Sequence, residues 1–268
     1  MTTNHYSYSD LLNGLQQVGI CKGDVLFIQM SLGMLGKPDG VQNQEQLCEM
    51  WLRAIQEILG SEGTILVPVY TYSFCKGELF DLQNTSTTIG PFPEYFRLLP
   101  NVVRSRDPIF SVAGLGPHSE KLLTDLPQTC FGKGSIYDRI RKINAKICLI
   151  GLSLNFATFR HHVEEIIQVP FRFKKKFTGK TKDREDVYQE TWVYNVKFMT
   201  PNCYPDGSRL DKKAREIGLS QITQVGRSEI LAIKSQEFFE LTYQELTRDP
   251  WYTAKGPAVN PIELKKNG

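Results

Sequence analysis

The sequence predicts a single α/β domain, built on a mixed, largely parallel sheet of about seven strands with helices on both faces. Up to about residue 170, short apolar runs alternate with stretches whose apolar residues recur at helical spacing, as in parallel strands joined by helices. The 268 residues, 41% hydrophobic and 23% charged, suffice for one sizeable core and argue against disorder. No linker rich in serine or glycine divides residues 1–268 into two domains.

The helices and strands of this alternation are predicted as follows. Apolar residues at helical spacing predict helices over "YSDLLNGLQQVG" and "QEQLCEMWLRAIQEILG", each ending at a glycine. The apolar runs "DVLFIQM", "GTILVPVYTYS" and "AKICLIGL" predict strands. Shorter helices are predicted over "GPFPEYFRLLP", "SEKLLTDL", "SIYDRIRKIN" and "TFRHHVEEII".

The pattern changes after residue 170. The basic, polar stretch "FRFKKKFTGKTKDRED" predicts an exposed loop or hairpin. The next stretch, "VYQETWVYNVKFMT", alternates apolar and polar residues, which indicates an antiparallel strand. Two further helices, "SRLDKKAREIGL" and "SQEFFELTYQELTRD", flank a strand "SEILAIK".

Composition excludes several classes of function. The net charge of +3 is too small to favour nucleic-acid or membrane binding. No basic N-terminal region precedes a long apolar run, and no apolar run is long enough to span a bilayer, so we expect a soluble cytoplasmic protein, either a monomer or a homodimer. The six cysteines are scattered without metal or redox spacing, which fits a reducing compartment, and we expect no metal.

Two of the four histidines stand together in "NFATFRHHVEE", residues 155–165. On a helix His161 and Glu164 share one face, whereas His162 points about 100° away. A histidine held by a carboxylate suits a general base that takes a proton from an attacking amine or hydroxyl. A solvated His/Glu helix face is the alternative. The spacing lacks the second histidine at i+4 that a zinc helix requires.

Three other stretches have the composition of binding loops, although an ordinary turn or a solvated face is the favoured explanation of each one taken alone. "QMSLGMLG" follows a strand, and its glycines can leave backbone N–H groups free for an oxygen of a ligand. "RSRDPIFSVAGLG" combines arginines that can pair with phosphates with Asp107, which can orient a base. The run "KKKF", residues 174–177, is either a solvated face or an anchor for a nucleotide diphosphate.

Taken in order, these stretches resemble the antibiotic N-acetyltransferase family, whose best-known members are aminoglycoside 3-N-acetyltransferases. The resemblance covers roughly residues 8–175 in five blocks. It implies a mixed α/β fold and transfer of an acyl group from acyl-CoA to an amine. By position, the family's Thr-x-x-His-x-x-Glu falls on Thr158, His161 and Glu164, which implies catalytic roles for the histidine and the glutamate.

The resemblance also implies ligand-binding residues. Besides Thr158, we expect these to contact acyl-CoA: Ser31, Leu32, Gly33, Leu35, Gly36, Arg104 and Ser111. Asp107 is expected to be catalytic, by holding the sugar or its amine. For a sugar nucleotide we assign Tyr70, Tyr72, Arg172, Lys174 and Lys176.

Two departures from the family pattern bear on the acceptor. Antibiotic-modifying members usually carry a histidine where this chain has Gln29, and another where it has Asp107. "RDPIFS" and "ATFRHHVEE" are more similar to the branch that acylates amino sugars on nucleotide diphosphates, as in anthrose biosynthesis. We therefore predict an N-acyltransferase acting on such a sugar by direct attack in a ternary complex, with dTDP-4-amino-4,6-dideoxyglucose as the expected acceptor. The alternative is an aminoglycoside 3-N-acetyltransferase that confers antibiotic resistance.

Overall fold

The computed structural model describes residues 5–266, and within them seven strands form the main sheet. In chain order these are β1 (Val25–Met30), β2 (Thr64–Pro68), β4 (Val103–Arg104), β5 (Val112–Leu115), β6 (Lys146–Ile150), β9 (Gln221–Val225) and β10 (Ser228–Lys234). Their spatial order is β4-β5-β2-β1-β6-β10-β9. Residues 1–4 and 267–268 of the predicted domain lie outside the described residues.

The predicted number of strands is confirmed, but the prediction of a largely parallel sheet is wrong. Only the pairings of β1 with β2 and with β6 are parallel, and the remaining pairings in the described sheet are antiparallel. Strand β9, which the sequence analysis missed, joins β10 through a tight turn at residues 226–227. Such a short connection permits only an antiparallel pair, because a parallel pair needs a crossover of a dozen or more residues.

Helices cover both faces of this sheet, as predicted. On one face lie α1 (Tyr8–Gln17), α2 (Gln44–Leu59) and α3 (Pro91–Arg97). On the other lie α4 (Ser119–Leu123), α5 (Ile136–Lys142), α6 (Arg160–Ile167), α7 (Ser208–Glu216), α8 (Ser235–Arg248) and α9 (Pro261–Lys266). Successive residues of β1 point to opposite cores, with Leu26 and Ile28 on the first side and Phe27 on the second. Burial on both sides explains the continuous apolar runs of the central strands.

A second, three-stranded sheet packs beside α6. It consists of β3 (Phe80–Asp81), β7 (Arg172–Asp183) and β8 (Asp186–Lys197), in the order β3-β7-β8. Strands β7 and β8 form a long hairpin that turns at residues 184–185, which confirms the hairpin predicted from the basic stretch. Since β7 begins five residues after α6 ends, its first residues lie beside that helix.

Candidate active site

The predicted pairing of His161 with Glu164 is present on α6. The Nδ1 atom of His161 lies 2.7 Å from Oε2 of Glu164, as expected for residues three positions apart on a helix. Among the described residues, no group forms a hydrogen bond with Nε2 of His161, and the side chain remains 20% exposed. The ring is therefore held at one nitrogen, while its other nitrogen is available to a ligand.

Glu164 is completely buried and is surrounded by donors from three parts of the chain. Its Oε1 accepts a hydrogen bond of 2.7 Å from the hydroxyl of Thr253 and lies 3.1 Å from Nε of Arg160. Its Oε2 lies 2.7 Å from Nε of Arg172, the first residue of β7. Burial alone would raise the pKa of Glu164, but Arg172 and His161 lower it well below its ordinary range. The carboxylate is therefore ionised near neutral pH.

The same surroundings keep His161 neutral. Burial and then the charge of Arg172, whose Nη2 lies 3.1 Å from Nδ1, lower the pKa of His161 to about 4, although Glu164 acts in the opposite direction. An ionised Glu164 selects the tautomer that donates its Nδ1 proton, an assignment inferred from the hydrogen-bond network. The lone pair of Nε2 is then free, which is the state that a general base requires.

Gln29, near the end of β1, connects this strand to the turn just before α6. Its Oε1 accepts a hydrogen bond of 2.9 Å from the N–H of Thr158, and its Nε2 donates to the hydroxyl of Thr158 at 3.1 Å. Nε2 also lies within hydrogen-bond distance of the carbonyl of Phe156, at 3.2 Å. The residue that departs from the family pattern therefore fixes the turn that leads to His161.

The loop after β1 borders a cavity of about 600 Å³. Four predicted acyl-CoA residues line it, namely Ser31, Leu32, Gly33 and Gly36. Leu32 begins a 3-10 turn, Leu32–Met34, and the N–H groups of Leu32 and Gly33 have no acceptor among the described residues. Leu35 is instead fully buried, and its carbonyl accepts a hydrogen bond from the N–H of Arg227. The loop thus presents backbone donors, and Lys37 adds an exposed cation at its end.

Two further residues expected to bind CoA are occupied inside the fold. The guanidinium of Arg104 donates to the carbonyls of Leu82, Thr85 and Val69, and it lies 3.3 Å from the hydroxyl of Ser111. Ser111 is fully buried, and its hydroxyl donates to the same Val69 carbonyl at 2.8 Å. Both side chains are therefore hydrogen-bonded within the fold, and their contact with acyl-CoA stays a prediction.

Asp107 is also hydrogen-bonded by nearby backbone groups. It is buried, and its Oδ1 accepts hydrogen bonds of 2.9 Å from the N–H groups of Ile109 and Phe110. Burial raises the pKa of Asp107 to about 6. No hydrogen bond or ion pair in the described chain joins it to His161 or Glu164. Asp107 therefore shapes the turn that carries Phe110, and its predicted catalytic role stays a prediction.

The five residues assigned to a sugar nucleotide have different surroundings, and their assignment stays a prediction. The hydroxyl of Tyr70 is buried against that of Tyr137, at 2.5 Å, while Tyr72 is exposed and its ring lies edge-on to Phe110. Arg172 is paired with Glu164. Lys174 and Lys176, both on β7, are exposed to solvent. Arg172 thus belongs to the charged centre around Glu164, and its assignment to a sugar nucleotide stays a prediction.

Two members of this centre escaped the sequence analysis. Arg160 stands four residues before Glu164, a helical spacing from which an ion pair can be predicted. Thr253 follows Glu164 by 89 residues, and no local pattern indicates the contact.

Within residues 5–266, no three His, Cys, Asp or Glu side chains converge as a metal site would require. The described helices include none with the length and apolar character needed to cross a membrane.

Comparison with known proteins gives one family. Residues 28–247 match the family described as Aminoglycoside 3-N-acetyltransferase. Among curated proteins, the chain is 25% identical over 180 residues to aminoglycoside N(3)-acetyltransferase VII of Streptomyces paromomycinus, covering 60% of each chain. The chain therefore spans about 60% of the length of this relative.

Solved structures share the fold. A mutant of aminoglycoside acetyltransferase AAC(3)-IVa in complex with a gentamicin superposes with a TM-score of 0.79, at 21% identity and with 98% of both chains covered. AAC-IIIb in its binary complex with CoASH gives a TM-score of 0.77 at 16% identity, covering 95% of this chain and 100% of the other. Because the family match spans residues 28–247, the chain belongs to the antibiotic N-acetyltransferase, or aminoglycoside 3-N-acetyltransferase, family.

Proposed function

We propose that the protein is a CoA-dependent N-acyltransferase that acylates an amine of an amino sugar. The observation that carries this proposal is the neutral imidazole of His161, held at Nδ1 by a buried, ionised Glu164 and open at Nε2. A base of this kind removes the proton that an amine must lose when it forms an amide. Family membership supports acyl-CoA as the donor.

The residues of the loop after β1 fit the donor. The N–H groups of Leu32 and Gly33, which have no acceptor in residues 5–266, suit the oxyanion that develops on a thioester carbonyl. A donor of this type typically contributes about 3 kcal/mol to transition-state stabilisation. Gly33 has open space around it, so the backbone can be approached closely, and Lys37 can pair with a phosphate group.

The reaction proceeds by direct attack in a ternary complex. The neutral amine nitrogen attacks the thioester carbonyl carbon, and a C–N bond forms while the carbonyl oxygen takes up negative charge. His161 Nε2 accepts the amine proton, directly or through water, and Glu164 stabilises the resulting imidazolium through Nδ1. The C–S bond then breaks, and the proton passes to the departing thiolate to give free CoA. Asp107 has no step in this scheme.

The comparisons favour an aminoglycoside as the acceptor over the nucleotide-linked sugar that the sequence analysis placed first. The curated relative carries the name of an aminoglycoside N(3)-acetyltransferase, and one structural neighbour was solved with a gentamicin. We therefore propose an aminoglycoside-like amino sugar as the primary acceptor.

The main test compares His161→Ala and Glu164→Gln with His118→Ala, a control at an exposed histidine outside the site. CoA release is measured with acetyl-CoA and gentamicin. We expect both site variants to lose about 10²- to 10⁴-fold in kcat. The control should match the wild type. Near-full rates in correctly folded site variants would show that His161 and Glu164 do not have the proposed catalytic roles.

A nucleotide-linked amino sugar is the second candidate, because one observation favours it. Lys174, Lys175 and Lys176 are exposed in succession on β7, close behind the residue that pairs with Glu164. Such a basic strand attracts a diphosphate and repels a polycation. With dTDP-4-amino-4,6-dideoxyglucose as the acceptor, Lys174→Ala and Lys176→Ala should raise KM. If gentamicin alone is acylated, the second candidate is eliminated.

A further inference from the structure

Two tyrosines from distant segments of the chain meet at one buried ring. Tyr72 lies in the loop after β2, and Tyr194 lies on β8. The ring of Phe110 is 5.6 Å from the ring of Tyr72 and 5.0 Å from that of Tyr194, edge-on in both cases. Phe110 is buried, whereas Tyr72 is 39% exposed and Tyr194 is half-buried. The two tyrosines are therefore the accessible part of an aromatic cluster, and none of the steps proposed above uses them.

The hydroxyls of both tyrosines are available to a ligand. Neither takes part in a hydrogen bond within residues 5–266, and the hydroxyl of Tyr194 remains accessible to solvent. Burial raises the pKa of both groups, so they keep their protons near neutral pH and can donate as well as accept. A charge on Tyr72 would raise the pKa of Tyr194, which places the two side chains near each other. Because half-buried tyrosine hydroxyls usually have a partner, this pair can bind a polar ligand.

The backbone at Tyr72 is an independent observation. Its φ is +66°, in the left-handed region that bulky side chains rarely adopt. Residues held in such a strained conformation are concentrated at active sites and ligand-binding sites. The loop after β2 thus holds the ring of Tyr72 beside Phe110 at a conformational cost, as expected of a binding residue.

The aromatic cluster extends to the reaction centre. The ring of Phe131 lies 5.4 Å from the ring of His161 and 6.5 Å from that of Tyr194, so one phenylalanine connects the two. Arg172, whose Nη2 lies 3.1 Å from Nδ1 of His161, also acts on Tyr194, because its charge opposes the rise in the pKa of that residue. A ligand of two or more linked rings can therefore contact His161 and Tyr194 together.

The surroundings narrow the chemistry of the ligand. Aromatic rings with free hydroxyls combine apolar surface with a few hydrogen-bonding groups, as ligand sites commonly do. Lys175 lies 5.2 Å from the ring of Phe177, which stacks on Tyr194 at 5.3 Å. The positive charges of Lys175 and Arg172 disfavour an ammonium group beside Tyr194. A neutral ring that has hydroxyls and C–H faces, as in a sugar, matches these features.

We propose that Tyr72 and Tyr194 bind a neutral, hydroxyl-bearing ring of the acceptor while its reacting amine lies at His161. The proposal rests on the proposed N-acyl transfer and specifies what the acceptor must carry besides an amine. It makes both tyrosines specificity residues that favour amines on linked sugar rings over acyclic amines.

The test compares Tyr72→Phe, Tyr194→Phe and the double variant with Tyr243→Phe, a control at an exposed tyrosine on α8. With acetyl-CoA and gentamicin, each single variant should raise KM by about 3- to 10-fold, since one hydrogen bond between neutral groups is lost. Its kcat should stay within about twofold of the wild type, because the lost contact is made equally in the ground state. Equal KM for gentamicin in the double variant and the control overturns the proposal.

An acyclic amine tests the specificity. Spermidine has neither a ring nor a hydroxyl, so it should be a poorer substrate than gentamicin for the wild type. The tyrosine substitutions should leave its kcat/KM unchanged. A loss as large with spermidine as with gentamicin would show that the tyrosines do not recognise a sugar ring, and the proposal fails.

Removal of a whole ring gives a second measurement. Tyr72 is exposed, so Tyr72→Ala should fold, as thermal unfolding can verify. It should raise KM for gentamicin by about 10- to 100-fold, more than Tyr72→Phe does, because the ring surface is lost with the hydroxyl. A KM equal to that of the wild type counts against the site.

Calorimetry separates this proposal from the proposed function. Gentamicin is titrated without CoA into the wild type, the double variant and Tyr243→Phe, so that no chemistry is required. Weaker binding in the double variant alone supports the tyrosine site even if the wild type acylates no amine. Equal binding in all three proteins, or none in the wild type, rejects the site even if the enzyme acylates another amine.

Discussion

The protein encloses an arginine side chain in two different settings, and the contrast shows how surroundings determine what a partly buried cation does. Arg172 lies against a buried carboxylate and beside a histidine whose Nε2 has no partner in the described chain. Arg104 lies among backbone carbonyls and the hydroxyl of Ser111. The first arginine alters the protonation of its neighbours, whereas the second joins β4 to the loop at residues 82–85. Sequence alone suggested a ligand-binding role for both.

The largest loss of stability is expected when Glu164, the carboxylate beside Arg172, is replaced. Glu164→Ala leaves Arg160 and Arg172 buried without their counter-charge, so the free energy of unfolding should fall by about 3–5 kcal/mol. Urea titration measures the change, with Glu185→Ala as a control expected to stay within about 0.5 kcal/mol. A loss below about 1 kcal/mol would show that the two arginines find other partners.

The matching change in the second setting is Arg104→Met, which keeps the stem and removes the donors. Carbonyls of Leu82, Thr85 and Val69 then lose a buried partner, so unfolding should become easier by about 1–3 kcal/mol. Calorimetric affinity for CoA in the folded variant should not change. A loss of affinity of more than about tenfold would restore the ligand contact that the sequence predicted.

In the setting of Arg172, the protonation of His161 makes the free energy of unfolding depend on pH. The pKa of His161 is lowered from 6.5 to about 4 in the fold, so the unfolded chain binds more protons between these values. Stability that is fully present above pH 6.5 should therefore fall as the pH drops toward 4. The contribution of His161 should be about 1–2 kcal/mol between about pH 7 and pH 5. Urea titrations of the wild type and His161→Asn measure it, since other titrating groups cancel in the difference. Parallel pH profiles would contradict the assigned shift.

The smallest loss of stability should come from replacing Thr253, which is distant from Glu164 along the chain. Thr253→Val removes the hydrogen bond to Oε1 of Glu164 without a large change in volume, and should cost about 1 kcal/mol. Since Arg160 and Arg172 still hold the carboxylate, kcat should fall only a few fold. A loss as large as that of Glu164→Gln would mean that Thr253 alone sets the orientation of Glu164.

Local patterns predicted much of this architecture. The spacing of apolar residues predicted most helices and the buried strands, and the three-residue interval predicted that His161 and Glu164 would meet. The same patterns did not predict the direction of strand pairing, because direction depends on how connections of different length cross the sheet. They also did not predict that Asp107 and Arg104 would be hydrogen-bonded within the fold, since an exposed and an inward-facing polar loop have similar compositions.

By itself, the sequence determined an α/β domain, the family to which it belongs, and a histidine and a glutamate on one helical face. Only the tertiary structure decided that Arg172 and Thr253 complete the surroundings of Glu164, and that Tyr72 and Tyr194 meet at Phe110. The physical reason is the separation along the chain of the residues that interact. Helical and strand periodicity follows from neighbouring residues, whereas protonation and access depend on charges and cavities contributed by distant segments.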